Sequence, residues 1–384
     1  MKSRSEQSGI APLKCEKEKE NGEKLMKHVR FTLMASAILS LVMIAGGFLV
    51  FHSSPTKAYA SGAPCIQFGA FVRSISYIEA EKHGFFAQEG LNVCYNQVTG
   101  SVQQFDSLLS GQYDMISTAT DNAANRYVNS QAPIQIVSAF DKGEGLDLVV
   151  NTANGIHTIA DLRGKAIAVD APDSGFVFAL RKILAGSGLY LEHNDYSLQV
   201  IGGAFQRYSA LVAGKTTSGA PVYATILVSP FTERSRTVAT LSDLAQFSSF
   251  VAPYQSTGLV VTNSYAAAHP DTITSFIAAT ILGERFAADP ANKATVISDI
   301  AATFNLPTPV ATDVYATSQS SVTGENADEE IDTDGLANVL DLRQQFGGFN
   351  TAVDSKKLAH PHKDGLYNDE FWKDALKQVK KQGK

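Results

Sequence analysis

Three strand-to-helix turns carry the residues best suited to hold a ligand. The segment Asp170-Ala171-Pro172-Asp173-Ser174-Gly175-Phe176 joins an apolar run ending at Val169 to a stretch whose apolar positions Phe176, Leu180, Ile183 and Leu184 follow the helical period. Ser174 and Gly175 therefore offer backbone N–H groups at a helix N-terminus, where donors lack intrahelical partners and the helix dipole favours an anionic or carbonyl oxygen. A single turn of this kind is ordinary capping. Gly100-Ser101 and Gly203-Ala204 repeat the geometry from two other strands, and three converging turns imply a pocket. The last two are copies of one unit: residues 98–111 return 103 residues later as 201–214, with Gly100/Gly203, Gln103/Gln206, Leu108/Leu211 and Gly111/Gly214 identical. Side chains near these strand ends divide into an apolar set, Phe71, Tyr77, Phe176, Phe205, Phe231 and Tyr254, and a polar set, Arg73, Asp121, Asn122, Gln206 and Gln255. Arg73 is the sharpest candidate for an acidic ligand group, because a guanidinium fork matches carboxylate or sulfonate oxygens.

Bond-making chemistry finds little support. The chain has no G-x-S-x-G and no H-E-x-x-H. Gly214-Lys215-Thr216 resembles the end of a phosphate loop, but Ser209 stands where the first glycine is required and a helical stretch precedes it. His360-Pro361-His362 supplies too few ligands for a closed metal site. Neither a metal nor a cofactor is expected. The competing class is a cofactor-free enzyme with His83 or Asp121 as acid or base, although His83, next to Gly84 at a helix end, stands far from the strand ends.

The elements that must position these residues alternate between strand and helix, as in an α/β protein with a mostly parallel sheet covered on both faces. Strands are expected at Ile66 to Phe71, Leu91 to Val98, Met115 to Ser117, Ile134 to Phe140 and Leu146 to Val150. A second set follows at Ala166 to Val169, Leu198 to Ile201, Ala224 to Val228 and Leu259 to Thr262. Helices are expected from Ser74 to His83, from Val102 to Ser110, and from starts near Ser174, Phe205 and Pro230. Beyond Thr262 the chain turns helical, at Pro270 to Ala287, Ala291 to Phe304 and Leu336 to Phe346; Ser320 to Asp334 reads as a loop and Gln378 to Lys384 as a basic, solvated end.

Residues 61–384 hold 23 Lys+Arg against 33 Asp+Glu, too acidic a balance for a nucleic-acid partner. Phe31 to Phe51 is a run of 21 residues without a charge, preceded by Lys24, Lys27 and Arg30, and it marks residues 1–60 as a tail plus a membrane-targeting segment. Ala58-Tyr59-Ala60 is an A-x-A cleavage site, whereas the length of the run suits a retained anchor; Met26 is an alternative start. Either reading puts the rest of the chain outside the cytoplasmic membrane, secreted or anchored, since the positive charges stay inside. Cys65 and Cys94 open one expected strand and sit within its neighbour, so they form either a disulfide or two buried thiols.

Ala80-Glu81-Lys82-His83-Gly84-Phe85-Phe86-Ala87-Gln88-Glu89-Gly90-Leu91, Leu109-Ser110-Gly111-Gln112-Tyr113-Asp114, and Asp161-Leu162-Arg163-Gly164-Lys165 with Val169-Asp170 resemble extracytoplasmic solute-binding proteins of ABC importers. The branch is the one that includes sulfonate-, nitrate- and thiamine-pyrimidine-binding proteins, and the likeness covers about residues 64–350. It implies a two-lobed, type II periplasmic-binding-protein fold, with lobe one at 62–151 plus 257–384 and lobe two at 152–256. It also implies pocket loops at Phe71 to Ser76, Gly100-Ser101, Thr118 to Asn122, Asp170 to Phe176, Gly203 to Gln206 and Tyr254 to Thr257. From these come the candidate ligand contacts Phe71, Arg73, Gly100, Ser101, Thr120, Asp121, Asn122, Asp170, Ser174, Gly175, Phe176, Gln206 and Tyr254. The implied role is capture of a small organic or anionic solute by a monomer that delivers it to a membrane permease. An anchored ligand sensor is the remaining alternative. The cysteine-rich motif of the pyrimidine-forming synthases in this superfamily is absent.

Overall fold

Local sequence signals set the element boundaries. In the computed structural model, which describes residues 65–383 within one compact unit, Ser74 caps the first helix by accepting from Tyr77 N–H, and Gly84 at φ 73° ends it. The expectations for Met26, Phe31 to Phe51 and the cleavage site lie outside the described residues. Among the described residues no helix is long and apolar enough to cross a membrane.

The chain first lays down β1 (Ile66–Ala70), α1 (Ile75–Lys82), α2 (Phe85–Gln88), β2 (Val93–Gln97), α3 (Ser101–Leu109), β3 (Met115–Ala119), α4 (Thr120–Asn129) and β4 (Ile134–Asp141). It then crosses to β5 (Asp147–Asn151), β6 (Ala166–Val169), α5 (Gly175–Ala185), β7 (Ser197–Val200), α6 (Ala204–Ala213), β8 (Ala224–Leu227), α7 (Phe231–Ser235) and β9 (Leu241–Gln246). It returns through β10 (Thr257–Thr262) and closes with α8 (Asn263–Ala268), α9 (Pro270–Ala288), α10 (Lys293–Phe304), α11 (Thr308–Ser318), α12 (Thr333–Gln345), α13 (Ser355–Ala359) and α14 (Glu370–Lys381).

Two five-stranded sheets result, ordered β2-β1-β3-β10-β4 and β7-β6-β8-β5-β9. The orders superpose strand for strand. In each sheet one strand runs against the other four, and it is the strand that enters from the opposite sheet: β10 is antiparallel to β3 and β4, and β5 to β8 and β9. This is a two-lobed α/β fold of mostly parallel sheets, and the repeated segment occupies equivalent places, β2–α3 in one lobe and β7–α6 in the other. The lobes are joined by residues 142–146 and 247–256. Gly145 in the first crossing takes φ 60°, and a Cβ there would stand 2.8 Å from the backbone N of Ser229, so only glycine fits.

Apolar burial follows the layers. Phe68, Tyr77, Phe86 and Phe276 pack ring on ring between the first sheet and its helices, with centroids 5.0 to 5.2 Å apart along the chain of contacts. Leu148, Ile167, Leu180, Ile183 and Ile226 fill one face of the second sheet, where Val339 and Leu342 of α12 join them.

The structure departs from the sequence expectations in several places. Asp147–Asn151, assigned to lobe one, pairs within the second sheet. Helices α4 and α11 and strand β9 were not anticipated; α4 starts directly at Thr120, so the polar run read as a strand end is the first turn of a helix. The basic end is not wholly solvated, because α14 buries Ala375 and Val379 completely and Gln378 donates to Glu89. Cys65 and Cys94 are disulfide-bonded, stapling the start of β1 to β2.

Candidate functional site

Where the C-terminal ends of the strands of the two sheets face each other, the chain leaves a cavity of about 90 Å³. Its walls come from both lobes and both crossings: the β1–α1 loop with Phe71, Arg73 and Ser74; the end of β3 with Ser117, Thr118 and Ala119; Asn122; the β6–α5 loop with Asp170, Ser174 and Phe176; Ala204 and Arg207 of α6; Val228 and Ser229 after β8; Glu144 and Ser256 of the crossings; and Asp141 and Thr257 at the adjoining ends of β4 and β10. The position obeys the general rule that open α/β sheets bind ligands beyond the carboxyl ends of their strands.

Five buried polar atoms of residues in this wall have no hydrogen-bond partner: Arg73 Nε and Thr118 Oγ1 from lobe one, Ser174 Oγ and Ser229 Oγ from lobe two, and Glu144 Oε1 from the first crossing. Thr118 and Ser174 are 1% and 4% exposed, so water outside the cavity does not reach them. Buried polar groups are nearly always satisfied, and each exception costs about 1–3 kcal/mol. Burial, reinforced by the nearby carboxylates of Glu325, Asp141 and Glu233 and opposed by the Ser229 hydroxyl, pushes the Glu144 carboxyl well up, which favours the form that offers a proton as well as a lone pair. Phe71 and Phe176 supply apolar faces beside these groups.

Two cations border the cavity. The Arg207 guanidinium is held by the carbonyls of Gly202 and Ile226 and the hydroxyl of Thr225, with 3% of the residue exposed, and among the described residues no carboxylate comes within ion-pair distance of it. Arg73 lies over the Tyr95 ring, its Cζ 3.8 Å from the centroid, and reaches Glu81 at 3.7 Å.

Six of the sequence candidates line the cavity: Phe71, Arg73, Asn122, Asp170, Ser174 and Phe176. The others are engaged elsewhere. The N–H of Ser101, which follows Gly100, donates to Asp170 Oδ2 at 3.2 Å; that of Gly175 donates to Asn122 Oδ1 at 2.8 Å; that of Gly203 donates to the Thr99 carbonyl at 2.8 Å. Each helix N-terminus read as a ligand donor thus bonds the opposite lobe. A Cβ on Gly175 would stand 2.8 Å from that of Asp121, which explains the glycine. Thr120 is fully buried, its hydroxyl donating to the Gln255 carbonyl. Gln206 turns back over Gly202 and Gly203. Tyr254 is a core residue, 3% exposed, with its ring edge on Phe247.

Asp121 is not free to meet a ligand either. It is 1% exposed and its Oδ1 accepts from Arg343, itself 0% exposed, at 2.7 Å. Arg343 also reaches Asp173 of lobe two at 3.0 Å, so one buried cation ties α4, α12 and the β6–α5 loop together.

Thr118, Glu144 and Arg207 were missed as individual contacts. For Arg207 the repeat held the signal, since it aligns with Gln104. Gln104 Nε2 donates to the Ser117 carbonyl on β3 at 2.8 Å, and Arg207 Nη1 to the Ile226 carbonyl on the equivalent strand β8 at 2.6 Å. One copy of the unit therefore holds the strand end with a neutral amide and the other with a cation.

The family model described as NMT1/THI5 like matches residues 72–294. No curated protein matches the sequence. Among solved structures, the alkanesulfonate-binding protein SsuA from Xanthomonas axonopodis pv. citri bound to MOPS is 17% identical with a TM-score of 0.59, over 79% of this chain and 97% of that one. The periplasmic aliphatic sulphonate binding protein SsuA from Escherichia coli is also 17% identical, with a TM-score of 0.58 over 77% of this chain and 92% of its own. The periplasmic nitrate-binding protein NrtA from Synechocystis PCC 6803 is 12% identical, with a TM-score of 0.64 over 82% and 89% of the two chains. These likenesses establish a shared fold.

Proposed function

This chain belongs to the NMT1/THI5-like family, and from that premise we propose that it is the extracytoplasmic solute-binding component of an ABC importer. In this reading it captures a small organic or anionic solute between its lobes and presents the closed form to a membrane permease. The observation that carries the reading is the convergence of Thr118 Oγ1, Ser174 Oγ and Glu144 Oε1, one from each lobe and one from a crossing, on a cavity that leaves all three without partners. A guest with polar atoms at its rim and an apolar body satisfies them and covers Phe71 and Phe176. Arg207 then serves as the contact for an acidic group, with Arg73 at the cavity edge. The lobes so proposed are 62–146 with 257–384, and 147–256, which keeps β5 with its sheet.

The fold neighbours named for sulfonates and nitrate guide the choice of ligands to test. Neither acid–base candidate of the enzyme alternative borders the cavity: His83 lies at the far end of α1 and Asp121 is bound by Arg343. A thermal-shift series of sulfonates, nitrate, pyrimidines, flavins and aromatic acids tests the proposal, because a true ligand at 100 times its Kd adds about 2.7 kcal/mol to stability. A hit recovered chemically unchanged supports it. Conversion of the hit, or a hit whose affinity ignores substitutions at Thr118, Ser174 and Glu144, overturns it.

A further inference from the structure

Away from the cavity, at the opposite end of α1 from Ser74, three side chains point their ligating atoms at one another. Glu79 and His83 stand four residues apart on α1, on one face of the helix, and Asp299 faces them from α10. His83 Nε2 lies 3.1 Å from Glu79 Oε2 and 3.1 Å from Asp299 Oδ2, and the three ligating atoms all fall within 4.8 Å of one another.

We propose that Glu79, His83 and Asp299 form a binding site for a divalent transition metal of the zinc class that pins α1 to α10. The two edges from His83 fit: a tetrahedral ion with bonds of about 2.0–2.1 Å has ligand–ligand edges of about 3.3 Å, against 3.1 Å to each carboxylate here. Two carboxylates and a neutral imidazole neutralise a dication, and this mixed oxygen and nitrogen donor set suits zinc.

An ordinary ion pair accounts for less of what is there. Glu79 is 0% exposed, yet neither of its carboxylate oxygens meets a donor in hydrogen-bonding geometry. A protonated imidazole has a single Nε2–H for two carboxylates 3.1 Å away; Asp299, partly exposed, also has Lys82, whereas the buried Glu79 has no other donor. An ion bonded to all three satisfies Glu79 together with the rest. The surroundings fix the ligands from outside: the Phe286 ring stacks on the imidazole at 4.1 Å, and Lys82 Nζ lies 3.6 Å from Asp299 Oδ1, leaving Oδ2 for the ion. The His83 and Asp299 side chains are 28% and 19% exposed, which gives a route of entry and room for a water as fourth ligand.

Beneath the site Ile75 and Ile78 of α1 pack on Val296 and Ile300 of α10, so an ion clamps an existing helix contact rather than creating one. Because Arg73 and the N-cap Ser74, which lead directly into α1, line the cavity, the clamp also steadies one wall of the ligand site.

The test titrates chelator-stripped full-length protein with Zn²⁺ alone, by calorimetry, and with Co²⁺ alone, by visible absorption. One equivalent of Zn²⁺ is expected at a Kd on the order of 1 µM, with a rise in melting temperature. His83→Ala and Asp299→Asn, both at partly exposed positions, should each weaken binding at least about tenfold and abolish that rise while keeping the metal-free melting transition. His360→Ala/His362→Ala should bind as the unaltered protein does. Failure to bind one equivalent at about 100 times the expected Kd, equal binding by His83→Ala, or loss of binding in the His360→Ala/His362→Ala protein would each overturn the site. The result is independent of the solute-binding reading, which the ligand series decides.

Discussion

Replacing Thr118 by valine separates a hydroxyl that serves a ligand from one that serves the fold. Valine keeps the branched shape and exchanges the hydroxyl for a methyl. Thr118 is 1% exposed and its Oγ1 takes part in no protein hydrogen bond, so the substitution breaks nothing within the chain. Removing an unsatisfied buried hydroxyl relieves a penalty of about 1–3 kcal/mol. The ligand-free protein should therefore melt no lower than the unaltered one, and a gain of about 1 kcal/mol would raise Tm by about 2–4 °C at most in a chain of this size. The ligand suffers the reverse: loss of a neutral hydrogen bond worth about 0.5–1.5 kcal/mol weakens binding by about 2- to 13-fold, and more if the guest's polar atom is left facing the methyl. Ser138 on β4 provides the control. It is fully buried and its Oγ also lacks a partner, but it lies outside the cavity wall, so Ser138→Ala should leave affinity untouched. Scanning calorimetry reads stability and titration calorimetry with the strongest thermal-shift hit reads affinity. A drop in Tm of Thr118→Val by several degrees, or an affinity within twofold of the original, would refute the assignment of this hydroxyl to the ligand.

Further outcomes follow from the same coordinates. Because burial favours the protonated form of Glu144, the neutral isostere Glu144→Gln should retain affinity for the same hit while Glu144→Ala loses about tenfold, measured by titration calorimetry. Removing the cation in Arg343→Leu strands the Asp121 carboxylate in the interior and should destabilise the protein by about 3–5 kcal/mol in urea unfolding, with part of the loss restored by adding Asp121→Asn. Burial pushes Glu325 up to about 8 against the N–H groups of Ile75 and Ser76, and Asp147 up to about 7. Folding thus favours their protonated forms, and their contribution, complete below about pH 4, fades as pH rises through 7 and 8; urea midpoints should fall over that window, and Glu325→Gln should flatten the slope. Cys65→Ser/Cys94→Ser opens a link across 29 residues and should lower stability by about 3–4 kcal/mol in the same assay.

Much of the architecture was legible in local sequence. Strand and helix periods from Ile66 to Thr262 located nine of the strands that build the two sheets, and the 103-residue repeat announced two equivalent lobes before any strand order was known. Turn chemistry located the loop Asp170 to Phe176 and the family resemblance implied the loop Phe71 to Ser76, and both border the cavity. The sequence left the cysteines as a disulfide or two buried thiols, because it placed Cys65 at the start of one strand and Cys94 within its neighbour; the structure joins them. These signals span only a few residues, and local hydrogen bonding and apolar period decide them.

Which groups face the cavity was decided at longer range. The helix N-termini at Ser101, Gly175 and Gly203 are where the sequence put them, yet their donors meet Asp170, Asn122 and Thr99 from the other lobe. Asp121 looked available until Arg343, 222 residues further along, was found buried against it. Thr118, in the sequence reading only the start of a pocket loop, is left with a free hydroxyl in the cavity wall because nothing on either lobe comes close enough to pair with it. A residue's type and its local element fix what it can donate or accept. Which group receives that bond depends on how two separately folded sheets are held face to face, and no local pattern encodes that distance.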